Sequence, residues 1–195
     1  MIDQWSAEWG AAVIGLVLLS LVLLAILLFR HRQNDELRIN QSVRRHSGAF
    51  IKDAVIPDGI EGYLFADYLL RLGRNVIVLN VESRRGYVFG AVNIEEWTCV
   101  ENNRTEKFNN PLQKATLFAR QVGHISGINS VRPLVLFDSS SEFPKGVPEG
   151  VLQMTNLDQA LESLSVSNGD DSLEEVWPKL VALIDEGRHQ LNATI

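Results

Sequence analysis

Tyr63-Leu64-Phe65-Ala66-Asp67-Tyr68-Leu69-Leu70-Arg71, then Gly73-Arg74, then Val76-Ile77-Val78-Leu79-Asn80-Val81-Glu82 is the stretch from which the fold can be read. Both flanks are rich in β-branched, aromatic and other apolar residues, which predicts two strands. Gly73-Arg74 between them predicts a two-residue hairpin loop, the glycine supplying the positive φ of a type II′ turn. A hairpin centred there sets Asp67 opposite Asn80 and Phe65 opposite Glu82. Alternation then puts Asp67, Asn80 and Glu82 on one side of the sheet. Opposite side chains stand ~5 Å apart at Cβ, which lets oxygens of both reach one hard cation such as Mg²⁺. On spacing alone, a polar residue on a solvated sheet face is the other reading of Asp67.

Working outward, Pro57-Asp58-Gly59 signals a turn before the hairpin. Residues 34–46 are polar with Leu37, Ile39 and Val43 as apolar anchors, a short helix or a stalk. Downstream, Gly86–Gly90 and Trp97–Val100 read as strands, and Asn102-Asn103 turns the chain back toward Phe108. Asn110-Pro111 starts a helix, with asparagine as N-cap and proline at the first helical position, running to about residue 125. Pro133–Phe137 is a short apolar strand expected in the sheet centre. Asn156 is expected to cap a helix carrying Leu157, Leu161 and Leu164 on one face. Residues 165–171 read as a linker before a last helix over about 172–190, which Pro178 is expected to kink. Strands, then a helix, then a strand predict a mixed α/β domain with an antiparallel start.

The N-terminus is of another kind. Gly10–Phe29 carries neither charge nor proline. At ~1.5 Å per residue it would span ~30 Å, the hydrocarbon thickness of a bilayer. Trp5 and Trp9 flank one end, where indoles favour headgroups, and Arg30-His31-Arg32 closes the other. Positive flanks stay inside, so the expectation is a single-pass protein of the cell (inner) membrane with residues 1–9 outside and the domain in the cytoplasm. The acidic start and long apolar core do not match a cleaved signal peptide. Ala11 and Gly15 form a small-xxx-small pair of the kind that packs helices.

The net charge of −6 hides a pattern. Residues 30–52 hold six basic residues against Asp35 and Glu36, and from Asp138 onward there are eleven acids and three bases. The basic juxtamembrane segment (30–48) suits membrane topology and anionic lipids, and the tail (166–195) an acidic linker and solvated helix. This is not the charge of a strongly basic nucleic-acid binder, although Arg84, Arg85, Arg104, Lys107, Lys114 and Arg120 could form a basic surface for a phosphate backbone. The one cysteine, Cys99, excludes an internal disulfide and reads as a core residue. The four histidines show no metal-ligand spacing. Asp138-Ser139-Ser140-Ser141 lacks the glycines of a nucleophile elbow and reads as a loop.

Taken together, Val78–Gly90, Glu96-Trp97-Thr98 and Phe108-Asn109-Asn110-Pro111-Leu112-Gln113 resemble the nuclease-related domain (NERD) family. Ile56-Pro57-Asp58-Gly59-Ile60-Glu61-Gly62, Asp67-Tyr68 and Phe143-Pro144-Lys145-Gly146 fit the same pattern, so the resemblance covers about 49–165. It implies a restriction-endonuclease-like core of helix, antiparallel strands, helix and strand, here behind one N-terminal transmembrane helix. It also implies a centre in which an Asp and a Glu/Asp-x-Lys pair hold Mg²⁺ and polarise the attacking water. Asp67 matches the first acid. The second acid falls on Asn80 and the lysine on Glu82, both departures. Tyr68 stands where relatives have histidine, and Glu36 is the local candidate for a first-helix glutamate.

The expectation is therefore a membrane-anchored nuclease-related protein with a degenerate metal site and little catalysis, still able to hold DNA or RNA. Two alternatives stand beside it. One is an active Mg²⁺-dependent nuclease on a rearranged site, with Asp67 and Glu82 holding the metal and Arg84 replacing the lysine. The other is a membrane-side protein interaction module. Oligomeric state is not legible.

Overall fold

The computed structural model describes residues 18–24, 34–60, 62–167, 169 and 172–194. The chain divides into two compact units, Met1–Arg38 and Ile39–Ile195. Of the apolar stretch Gly10–Phe29, residues 18–24 are described, and they are helical with exposed side chains. The rest of that stretch, with Trp5, Trp9 and the Arg30-His31-Arg32 flank, lies outside the described residues. Among those described, no helix is long and apolar enough to cross a membrane.

Helix α1 covers residues 34–46, so the helical alternative holds there. In the larger unit follow β1 (Ala49–Pro57), β2 (Tyr63–Leu72), β3 (Asn75–Glu82), β4 (Gly86–Phe89), β5 (Glu96–Glu101), β6 (Arg104–Asn109), α2 (Pro111–Ser126), β7 (Val131–Phe137), β8 (Ser141–Glu142), β9 (Val151–Gln153), α3 (Leu157–Val166) and α4 (Leu173–Thr194). They build a mixed α/β domain with two sheets, ordered β1-β2-β3-β7-β9 and β6-β5-β4-β8. β1, β2 and β3 are antiparallel, while β7 runs parallel to β3 and to β9. The expected apolar strand is thus interior to its sheet.

The hairpin register is the expected one, with Tyr68 opposite Leu79 and Leu72 opposite Asn75. Gly73 has φ +56°, and Arg74 is not in the left-handed region, as a type II′ turn requires. Asn102 and Asn103 both have positive φ, the type I′ loop of the β5–β6 hairpin. The five-stranded sheet separates two cores. On one side Val76, Val78, Val135 and Phe137 meet Leu112, Ala115, Phe118 and Val122 of α2, with Trp177 and Ile184 of α4 and with Val88, Trp97 and Cys99 of the second sheet. On the other, Tyr68, Leu70, Ile77, Leu79 and Leu136 meet Ile39, Val43, Leu157 and Leu161.

One irregularity bears on the site. In β1 and β2 the paired register runs Lys52 with Tyr68 and then Ala54 with Ala66, omitting Asp53 and Asp67. Asp53 has φ +51°. Below this step, Leu64 and Ala66 face the α2 core; above it, Tyr68, Leu70 and Leu72 face the α1 core. Both strands change face together, so the register survives. Arg188 of α4 donates to the carbonyls of Lys52 and Asp53, satisfying backbone that the step displaces.

Candidate functional site

Asp67 sits at the step, so simple alternation does not place it. The ladder with β3 ends at Tyr68–Leu79, and two side chains continue it. The Asp67 N–H donates to Asn80 Oδ1 at 3.3 Å, and the Val81 N–H donates to Asp67 Oδ2 at 2.7 Å. Asp67 and Asn80 are therefore brought together, as expected. The further expected pairing of Phe65 with Glu82 is absent, because β2 has left β3 by that point. Asn80 and Glu82 share the sheet side that Val76 and Val78 occupy, by alternation along β3.

Asn80 is 4% exposed, and among the described residues its Nδ2 has no partner. The amide cannot be turned round without losing the Asp67 bond, since a backbone N–H needs the oxygen. Glu82 is half-buried at the end of β3. Burial raises its carboxyl above the ordinary value, against the lowering influence of Arg84 and Lys114; Asp67 raises it further. Arg84, which the rearranged alternative puts in place of the lysine, lies past the end of β3. Its Nε is 3.8 Å from Glu82, while its Nη1 donates to Glu106 at 2.6 Å and its guanidinium lies over the Phe108 ring. The carbonyl of Arg84 accepts from Ser140 Oγ and Ser141 Oγ, and that of Arg85 from Cys99 Sγ. Cys99 is buried in the core as expected, and burial raises its thiol pKa.

Whether these residues fit a divalent cation is decided by the donor set. Mg²⁺ takes convergent oxygens, preferably charged ones. Here the oxygen of Asn80 already accepts from a backbone N–H, and among the described residues its Nδ2 has no partner. One oxygen of Asp67 is held by Val81. Glu82 faces two cations of the protein itself. Among the described residues no group of three or more His, Cys, Asp or Glu side chains is placed to hold a metal ion.

Of the expected basic surface, Arg84 carries Glu106, Arg85 lies 3.8 Å from Glu101 and Lys107 pairs with Glu96. Asn110 does more than the cap expected of it. Its Oδ1 accepts from the Leu112 N–H at 2.9 Å, while its Nδ2 donates to the carbonyls of Ala91, Val92 and Ile94. That ties the β4–β5 loop to the start of α2. Asn156 stands at the N-cap position of α3 as expected, but its side chain does not cap: its Oδ1 accepts from the Gln153 N–H at 2.9 Å. The influence of Lys114 on Glu82 was not legible in the sequence, because it depends on how α2 packs on β3. Glu36 lies in α1 and is exposed.

No curated protein and no solved structure matched the chain. The family model of the nuclease-related domain matches residues 31–138, a span that takes in α1, β1, the β2–β3 hairpin, β4–β6, α2 and β7. That is more than half of the chain, and the chain belongs to the nuclease-related domain (NERD) family.

Proposed function

We propose that this is a membrane-anchored nuclease-related protein whose metal centre is degenerate, and that it holds nucleic acid with little or no cleavage. The observation that carries the reading is Asn80. A carboxylate there would offer Mg²⁺ a second charge, but the asparagine brings a neutral oxygen that already accepts from the Asp67 N–H and an Nδ2 donor with no partner among the described residues. Position 82 adds a second departure, a negative group where the family pattern has lysine. At ~4 Å and an effective dielectric of ~20, one unit charge is worth ~4 kcal/mol. Half of that slows a step more than tenfold. The rearranged Asp67, Glu82 and Arg84 site draws less support, since Arg84 is engaged by Glu106 and Phe108.

Anchoring rests on the sequence of Gly10–Phe29 and its flanks, with the N-terminus outside and the domain in the cytoplasm. The restriction-endonuclease-like reading of the core is supported by the order of α1, β1–β3, α2 and β7. The test is incubation of the protein with labelled DNA and RNA, with and without Mg²⁺ or Mn²⁺. Binding without metal-dependent cleavage is the expected result. Robust Mg²⁺-dependent cleavage that Glu82→Lys abolishes would mean that the centre is rearranged and working.

A further inference from the structure

The second sheet has one face in the core and one in the open. Val88, Trp97 and Cys99 point into the core. The alternate residues Tyr87, Phe89, Thr98 and Val100 therefore point out, and the register sets Tyr87 beside Val100 and Phe89 beside Thr98. Among the described residues no helix packs extensively on β4, β5 or β6. Tyr87 is 49% exposed, unusual for an aromatic ring in the middle of a sheet. Two positions along β4, about 6.6–6.8 Å away, Phe89 carries the exposed Lys145, whose Nζ is 5.7 Å from the ring centroid. Lys107 stands beside Thr98 on β6, paired to Glu96.

We infer that this outer face is a stacking platform for single-stranded nucleic acid. Tyr87 takes the face of one base and Lys145, held over Phe89, takes the neighbouring phosphate. The inference rests on the nucleic-acid-holding part of the proposed function, and it places that holding away from Asp67 and Asn80. An open ring on a sheet suits an unpaired base, which offers its whole π face; a duplex keeps its base faces inside the stack. A protein partner fits less well. A stable interface covers ~800 Å² on each side, and one exposed ring among Glu96, Thr98, Thr105, Lys107, Glu142 and Lys145 is a small, charged patch. Glu142, level with Tyr87 on β8, bars phosphates from that edge and directs the strand toward Lys145.

The experiment uses the full chain in detergent micelles and fluorescence anisotropy with fluorescein-labelled oligothymidine, oligouridine and a duplex, each of about 12 units, within the usual site size. The expected result is preference for single strands over duplex. Tyr87→Ala should weaken single-strand binding about fivefold or more, the lower bound for loss of one base–aromatic stack. Tyr87→Phe, which keeps the ring, should stay within about twofold of native, and Lys145→Gln should reduce the salt slope by about one. Circular dichroism checks that the variants fold. Nucleic acid bound equally by native and Tyr87→Ala protein overturns the platform and leaves the proposed function standing. No binding to any of the three overturns both. Self-association that Tyr87→Ala abolishes, with no nucleic acid bound, gives the face to a second protein copy and also overturns the platform.

Discussion

At the scale of single residues, Asp67 and Asn80 act as a clasp. Each supplies an oxygen to a backbone N–H at the point where β2 parts from β3. Removing the Asp67 carboxylate in Asp67→Ala leaves the Val81 N–H without its acceptor. The expected cost is about 1–3 kcal/mol of stability, read from urea unfolding followed by tryptophan fluorescence, since Trp97 lies fully in the core. Glu82 gives a pH signature. Burial raises its carboxyl above 4.5, so the folded chain holds that proton more tightly than the unfolded chain. Stability therefore falls as pH rises from 4.5 through the folded value. Glu82→Gln removes that loss, so it should be more stable than native near neutral pH, with the gain vanishing below about pH 4.5; a gain that persists unchanged at acid pH would contradict this. The pairing of Asp67 with Asn80 was legible from the position of Gly73. Their hydrogen bonds were not, because the step opposite Asp53 turns Asp67 out of simple alternation.

At the scale of elements, legibility follows regularity. The β2–β3 hairpin could be read because apolar runs flank a glycine that must adopt positive φ. β1 could not: Asp53 breaks its alternation by changing face in mid-strand, a geometry that period-two reading cannot anticipate. β8 and β9 are two and three residues long and exist by pairing with distant strands, so local pattern carries no signal for them. Two Asn caps were read from one rule; both stand at N-cap positions, and only Asn110 caps with its side chain. Asn110 has a proline behind it and three carbonyls to bind; Asn156 turns its oxygen back to Gln153. Asn110→Ala loses the cap and the tether of the β4–β5 loop together, for an expected cost of about 2 kcal/mol. Asn110→Asp keeps the cap and loses the tether, so its melting temperature should lie between the two. Equal melting of Asn110→Asp and native protein would mean that the tether contributes nothing.

At the scale of the whole molecule, the charge asymmetry about Gly10–Phe29 sets an expected topology. A reporter fused after Ile195 should be active as a cytoplasmic fusion, and activity of an extracytoplasmic reporter there would reverse the orientation. The mixed α/β domain and its family were legible because strand order and a few motif residues survive. The chemistry was harder to read, since it turns on which atoms of Asp67, Asn80 and Glu82 are free once the chain is folded. On the proposed function, Asp67, Asn80 and Glu82 do not form a divalent-cation site. Calorimetric titration with Mn²⁺ tests it most directly, comparing native protein, Asn80→Asp and Glu82→Lys. No stoichiometric site is expected in the native protein, and Mn²⁺ affinity should rise in Asn80→Asp, where a carboxylate oxygen replaces Nδ2. One Mn²⁺ bound per native chain, and lost in Glu82→Lys, would contradict it.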